Sequence, residues 1–157
     1  MRVLGIDPGY SKTGLAIIED KKLIKSMCLD LSKHKTKREK RKIIRQSIQY
    51  AEGMHKPSRI IIERVRLFSH GFISTKTIVA LGTIIAAVID STELDVYSVD
   101  SRSFKKRVVG NSSCSKADVI KWVHETFGID VGEDEADSIA IGYYQFVENP
   151  LLKKENN

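Results

Sequence analysis

The chain has 157 residues, of which 41% are hydrophobic and 29% are charged, and its formal net charge is +6. This length suits one domain with one core, which we place at residues 1–148, with a polar tail at 149–157. The two cysteines lack the spacing of a disulfide framework or a zinc site, no apolar stretch reaches membrane-spanning length, and strand-like sequence follows Met1 directly. We therefore expect a soluble, intracellular (cytoplasmic) protein without a targeting leader or a membrane partner.

The first half of the chain predicts four strands and one helix. A short apolar run that ends in a single charge is typical of a central parallel strand, and this pattern occurs twice, ending at Asp7 and at Glu63. Between them, a polar turn joins two strands into a hairpin, and Pro57 stops the helix that follows. In chain order we expect strands at 3–7, 14–18 and 23–31, a helix at 36–54 and a strand at 58–63.

The second half alternates helices with one further strand. Its first helix is apolar almost all round in its second half, so we expect it to lie under the sheet or against a second subunit. Asp100 and Ser115 are predicted to cap the helices that follow them. We expect a helix at 72–89, a strand at 94–99, a short basic helix after Ser101, a helix from 115 to 127 and a last helix at 133–147.

This order of elements predicts an α/β fold. Three strands that can pair antiparallel, followed by alternating strands and helices, imply a mixed five-stranded sheet with helices on both faces. The arrangement resembles the outline of an RNase H-like domain.

Basic residues are concentrated in two segments. The first, from Lys33 to Arg45, has eight basic residues against the single acid Glu39, and the second covers 102–107. Two such clusters favour a polyanion partner, and beside a carboxylate site they favour nucleic acid. The candidate DNA-binding residues here are Lys37, Arg38, Lys40, Arg41, Lys105 and Lys106.

Four acids are predicted to converge. Asp7 and Glu63 end two strands, and ligand sites in open α/β sheets lie outside the carboxyl ends of the strands. Asp134 and Asp137 are three residues apart at the start of the last helix and share one face, although Glu133 and Asp137 form an alternative pair. Any one acid of this helix start could simply favour the helix dipole.

Carboxylates gathered in this way repel one another and raise each other's pKa values, which divalent cations relieve. Ligation by oxygen alone indicates Mg²⁺, with Mn²⁺ as a substitute. Two such ions about 4 Å apart can clamp a phosphodiester for in-line hydrolysis, with Asp7 as the bridging ligand. The catalytic and metal-binding candidates are therefore Asp7, Glu63, Asp134 and Asp137.

Over nearly its whole length the chain resembles the RuvC-type Holliday junction resolvases. The resemblance is carried by the segments 5–9 and 13–14, by Glu63 with Val65, and by the final segment 134–140. It implies that Asp7, Glu63, Asp134 and Asp137 are the catalytic acids, and it favours Asp134 over Glu133.

The resemblance also implies partners. Lys105 and Lys116 lie where the family places basic residues against the DNA backbone. A homodimer that nicks two strands of a four-way junction is expected, with the apolar helix at 72–89 as the dimer face. The short chain suits a phage-type member.

One position departs from the family. Bacterial members carry an aromatic residue three positions after the second acid, where this chain has Arg66. Either Phe68 takes the stacking role at the junction centre or Arg66 contacts phosphate there. We therefore expect a relaxed enzyme that also acts on forks, flaps and other branched DNA.

Three alternative functions remain open from the sequence. An RNase H-like nuclease acting on RNA would differ in its substrate, and a non-catalytic junction-binding protein would not cleave. The segment 7–14 also resembles the first phosphate loop of actin-like and sugar-kinase ATPases, but those proteins need two such domains.

Overall fold

Five strands form one sheet in the order β3-β2-β1-β4-β5 in the computed structural model, which describes residues 1–64 and 74–147. β1 lies at the centre, antiparallel to β2 and parallel to β4, while β2 and β3 pair antiparallel and β4 and β5 pair parallel. The predicted mixed five-stranded sheet is confirmed. The strands are β1 Arg2–Asp7, β2 Lys12–Glu19, β3 Lys22–Asp30, β4 Arg59–Glu63 and β5 Val96–Val99.

The helices follow the predicted order, and their starts are capped. Thr36 and Ser115 each form a capping box with the acid three residues on, and the predicted cap at Asp100 accepts a hydrogen bond from the Ser103 amide at 3.1 Å. The helices are α1 Lys37–His55, α2 Thr75–Ile89, α3 Ser101–Phe104 with a π-helical turn Lys105–Val109, α4 Lys116–Phe127 and α5 Glu133–Tyr143. None of the helices in the described ranges is long and apolar enough to cross a bilayer.

Two cores lie on opposite faces of the sheet. Successive strand residues point to opposite faces, so Leu4 and Ile6 of β1 pack with α1 and α2, whereas Val3 packs with α4 and α5. Helices therefore cover both faces, as the sequence predicts.

Several boundaries differ from the predicted ones; β2, for example, begins at Lys12 rather than at 14. β5 begins at Val96 rather than at 94, because Thr92 Oγ1 accepts the Leu94 amide at 3.0 Å in a turn. α5 ends at Tyr143 and tightens into a 3₁₀ turn, Tyr144–Phe146. The start predicted for the helix at 72–89 lies outside the described residues, which place Ser74 at its N-cap.

Candidate active site

Asp7 and Glu63 lie side by side at the carboxyl edge of the sheet. Their strands are parallel, and Ile6 lies opposite Ile62, so the two acids end neighbouring strands about 5 Å apart. The two carboxyl groups are close enough to perturb each other: in addition to burial, the charge of Glu63 raises the pKa of Asp7, and the contact with Asp7 opposes the rise in the pKa of Glu63.

Two glycines bring α5 onto these strands. Gly14 pairs with Asp7 across β1 and β2, and a side chain at Gly14 would overlap the main-chain carbonyl of Asp134. On β1, a Cβ at Gly5 would overlap the main-chain atoms of Ser138 and Gly142. The start of α5 is therefore pressed against the sheet beside Asp7, and this contact carries Asp134 and Asp137 to the edge where β1 and β4 end.

Burial among other acids raises the pKa values of Asp7, Glu63 and Asp137. Burial, followed by the charges of Glu63, Asp137 and Asp134, raises the pKa of Asp7 from 3.8 to about 8. Burial also raises the pKa of Asp137, to about 6, against the opposing effect of Lys105. For Glu63 the direction is again upward, and burial is the main cause. The four acids therefore interact as one cluster.

Lysines surround the cluster without neutralising it. The charges of Lys105 and Lys116 lower the pKa values of both Glu63 and Asp137. Lys105 Nζ donates to the carbonyl of Cys114 at 3.4 Å, and Lys116 Nζ donates to Glu133 Oε2 at 2.8 Å. Glu133 is thus engaged by a lysine, whereas Asp134 and Asp137 act on Asp7, which favours Asp134 as the helix ligand.

The donor set suits a hard divalent cation. Asp137 Oδ1 is buried and has no hydrogen-bond partner, and the cluster offers carboxylate oxygens alone. Among the described residues, no three His, Cys, Asp or Glu side chains are already grouped closely enough to hold a metal. Carboxylates must lose their protons to bind a metal, so a metal ion would compete with protons at Asp7 and Asp137, whose pKa values are raised.

The basic residues of α1 divide into two groups. β3 runs parallel to β1, so α1 begins at the same edge of the sheet as the acids. Five exposed cations of its first half line an open cleft of about 520 Å³ that also reaches Ala87 of α2. These are Lys37, Arg38, Arg41, Lys42 and Arg45.

Lys40 does not lie on the exposed basic face of α1, which argues against its predicted contact with DNA. Its side chain is only 5% exposed, and its Nζ donates to the carbonyl of Tyr10 at 2.8 Å. The physical reason is helix periodicity, since Lys40 lies on the same stripe as the buried Ile44, Ile48 and Ala51. That spacing is visible in the sequence and could have excluded Lys40 from the binding face.

The remaining DNA-binding candidates are Lys106, Arg66 and Phe68. Lys106 is exposed on the π-helical turn, next to Lys105. Arg66 and Phe68 lie outside the described residues. Sequence reasoning missed Ser101, which hydrogen-bonds to Glu63. The available signal was its position directly after the carboxyl end of β5, the strand next to β4.

Comparison with known proteins agrees with this geometry. Residues 3–143 match the family model described as crossover junction endodeoxyribonuclease RuvC. A protein of that name from Caldicellulosiruptor saccharolyticus is 31% identical over 150 residues, covering 90% of this chain and 89% of its own. Another, from Mycobacterium sp. (strain KMS), is 26% identical over 162 residues, covering 98% and 87%.

Comparison with solved structures also finds a RuvC protein. Thermus thermophilus RuvC, in a structure with its Holliday junction substrate, superimposes with a TM-score of 0.81 at 20% identity, covering 94% of this chain and 93% of that one. The family match spans every element from β1 to α5, including all four acids of the cluster. The chain belongs to the RuvC family of crossover junction endodeoxyribonucleases.

Proposed function

We propose that this chain, a metal-dependent nuclease by family, resolves Holliday junctions by hydrolysing one phosphodiester in each of two strands. The observation that carries the proposal is the cluster of Asp7, Glu63, Asp134 and Asp137 at the carboxyl edge of the sheet. A structural role does not account for it, because a protein gains no stability from crowding acids when burial raises the pKa values of three of them, Asp7, Glu63 and Asp137.

We assign all four acids as metal ligands for two Mg²⁺ ions, with Mn²⁺ as a substitute. When bound, such ions supply Lewis-acid activation of the attacking water and positive charge for the leaving oxygen. The protein fixes the directions of the ligands: β1 and β4 hold Asp7 and Glu63, α5 holds the other two, and the Ser101 hydroxyl orients Glu63. The unpartnered Asp137 Oδ1 is available for coordination.

Lysines beside the cluster are assigned to the scissile strand. The charges of Lys105 and Lys116 already reach Glu63 and Asp137, so a phosphate at the acids would lie within their range. We assign Lys106 to a neighbouring phosphate. Lys116 would exchange its bond to Glu133 for a phosphate oxygen, which its three donors permit.

The cleft cations of α1 are assigned to a duplex arm beyond the cut. Lys37 and Arg41 lie one helical turn apart, and Arg38 is exposed next to them. The first-half face of α1 is more than 10 Å long at 1.5 Å per residue, enough to meet several phosphates of one strand. Phosphate contacts of this kind supply affinity without base preference.

We infer a homodimer that pairs through α2. The helix leaves Val79 and Ile89 about half exposed, at 49% and 52%, whereas only its Ile84, Ala87 and Val88 are buried. Covering this apolar face would relate two identical sites by a two-fold axis, which matches the near two-fold symmetry of a four-way junction. We assign Arg66 or Phe68 to the junction centre and expect forks and flaps to be cut as well.

The test is nicking of an end-labelled four-way junction with and without Mg²⁺, beside a linear duplex and an RNA–DNA hybrid. Paired, metal-dependent nicks in the junction are expected, and Glu63→Gln should bind the junction without cutting it. Cleavage of the hybrid in preference to the junction would identify an RNA-directed nuclease. Metal-independent binding without cleavage in any substrate would identify a junction-binding protein.

A further inference from the structure

Lys40 is the buried cation of the described residues. Its side chain is 5% exposed, although its neighbours Glu39 and Arg41 are both exposed. A buried ammonium is costly unless strong partners replace its water. Its observed partners both belong to Tyr10: the main-chain carbonyl at 2.8 Å, and the ring face, with 3.9 Å between Nζ and the centroid.

Tyr10 belongs to the turn that follows Asp7. This turn, residues 8–11, joins β1 to β2, and three successive carbonyls within it accept hydrogen bonds from β2, from α1 and from the residue that follows β3. The Thr13 hydroxyl of β2 donates to the Gly9 carbonyl at 2.8 Å, Lys40 of α1 to that of Tyr10, and the Leu31 amide to that of Ser11 at 2.8 Å. The turn is therefore tied to three separate parts of the fold.

Of these three ties, only the Lys40 bond comes from α1. Thr13 lies within the same hairpin as the turn, and Leu31 directly follows β3. The opposite side of the helix carries the exposed cations Arg38 and Lys42. The helix assigned to a DNA arm is thus bonded, through one side chain, to the segment that directly follows a catalytic acid.

We propose that Lys40 is a positioning residue for the nuclease reaction: by holding the carbonyl and ring of Tyr10, it fixes Asp7 relative to the DNA-binding face of α1. The inference rests on the proposed function for its catalytic consequence. Its structural part, the restraint of the turn at 8–11, is independent of activity. Lys40 itself touches neither substrate nor metal ligand.

The test compares Lys40→Met with wild type. Methionine keeps most of the apolar stem and removes the ammonium, so the core remains filled. We expect the cleavage rate at saturating four-way junction to fall by about 10- to 100-fold, as small displacements of a reacting group do. The dissociation constant of the junction, measured without divalent metal, should change by less than about twofold, because Lys40 is not on the binding face.

Hydrogen exchange supplies the readout that does not depend on activity. Amides of residues 9–13 should exchange faster in Lys40→Met, while the amides of α5 stay protected. Tyr10→Phe keeps both the carbonyl and the ring and should match wild type in rate and exchange. Lys121→Met is the control: it removes an exposed lysine of α4 that pairs with Glu125 at 3.7 Å, and neither readout should move.

The outcomes separate the two proposals. If wild type cleaves the junction and Lys40→Met matches it in both cleavage rate and amide exchange, the role of Lys40 is overturned and the proposed function stays intact. Absence of cleavage in wild type would overturn the proposed function, and the exchange data would still decide whether Lys40 restrains the turn. A weaker junction affinity with an unchanged saturating rate would show that Lys40 contacts DNA, which also overturns the inference.

Discussion

Replacing Asp7 with asparagine should stabilise the metal-free protein at alkaline pH. Burial and three neighbouring acids raise the pKa of Asp7 to about 8, so the folded protein keeps a proton that the unfolded chain releases near its ordinary pKa of 3.8. Where the folded state binds more protons, the free energy of unfolding falls as the pH rises. Wild type should therefore lose stability between about pH 4 and pH 8, and the loss should level off above that range.

The magnitude follows from the size of the pKa change. Each pKa unit corresponds to about 1.4 kcal/mol, so the upper limit of the loss is about 6 kcal/mol by pH 8. In addition to burial, the charge of Glu63 contributes to the raised pKa of Asp7, so only part of this effect belongs to Asp7 alone. We expect about 2–3 kcal/mol to disappear in Asp7→Asn, whose amide has no charge to bury.

Urea unfolding in EDTA at about pH 5.5, 7 and 8.5 measures this difference directly. The free energy of unfolding of wild type should decline from pH 5.5 to pH 8.5 relative to that of Asp7→Asn. Added Mg²⁺ should recover the lost stability of wild type but not stabilise the variant. Glu93→Gln, at the opposite edge of the sheet, is the control and should run parallel to wild type. Parallel curves for wild type and Asp7→Asn would refute the reasoning, since Asp7 would then not hold a proton against its neighbours.

Three further outcomes are expected. Gly14→Ala should push α5 off the sheet, lower the free energy of unfolding by about 1–3 kcal/mol and abolish the rise in melting temperature that Mg²⁺ causes. In the control Gly53→Ala, the added methyl group meets nothing within 4 Å, so the change should be neutral or stabilising. Neutralising Lys37, Arg38 and Arg41 together should reduce the slope of log binding constant against log salt concentration by roughly 2 to 3 for the junction. If neutralising Lys21, Lys22 and Lys25 of the β2–β3 hairpin has an equal effect, the change reflects net charge alone. The pKa values of Asp7 and Asp137 are raised without metal, so Mg²⁺ binding should release protons, and the affinity for Mg²⁺ should increase from about pH 6 to pH 8.5. Calorimetry in buffers of different ionisation enthalpy measures both the affinity and the number of protons released.

The sequence predicts this fold well because its signals are local. Apolar runs that end in Asp7 and Glu63 specify two parallel neighbours, and the acids at the start of α5 mark the third element of the site. The distance between these elements is not local. It depends on Gly5 and Gly14 meeting main-chain atoms of α5, and a glycine in a strand pattern does not by itself reveal what approaches it.

Lys40 illustrates a different limit. Charge alone placed it with its basic neighbours, while the spacing to Ile44 and Ile48 placed it on the buried stripe. The two signals conflict, and the tertiary contact with Tyr10 decides between them. A lysine on an apolar helical stripe therefore merits a search for a carbonyl or an aromatic partner before it is assigned to a solvent-facing surface.

The contact between β1 and α5 has a genetic consequence. At Gly5, the atoms that an added methyl group would meet are the Ser138 carbonyl oxygen and the main chain of Gly142, so no neighbouring side chain can be shortened to make room. Loss of function from Gly5→Ala should accordingly lack compensating partners. In a suppressor screen, recovered activity should come from reversion at codon 5 itself, and second-site changes in the surrounding core should not appear.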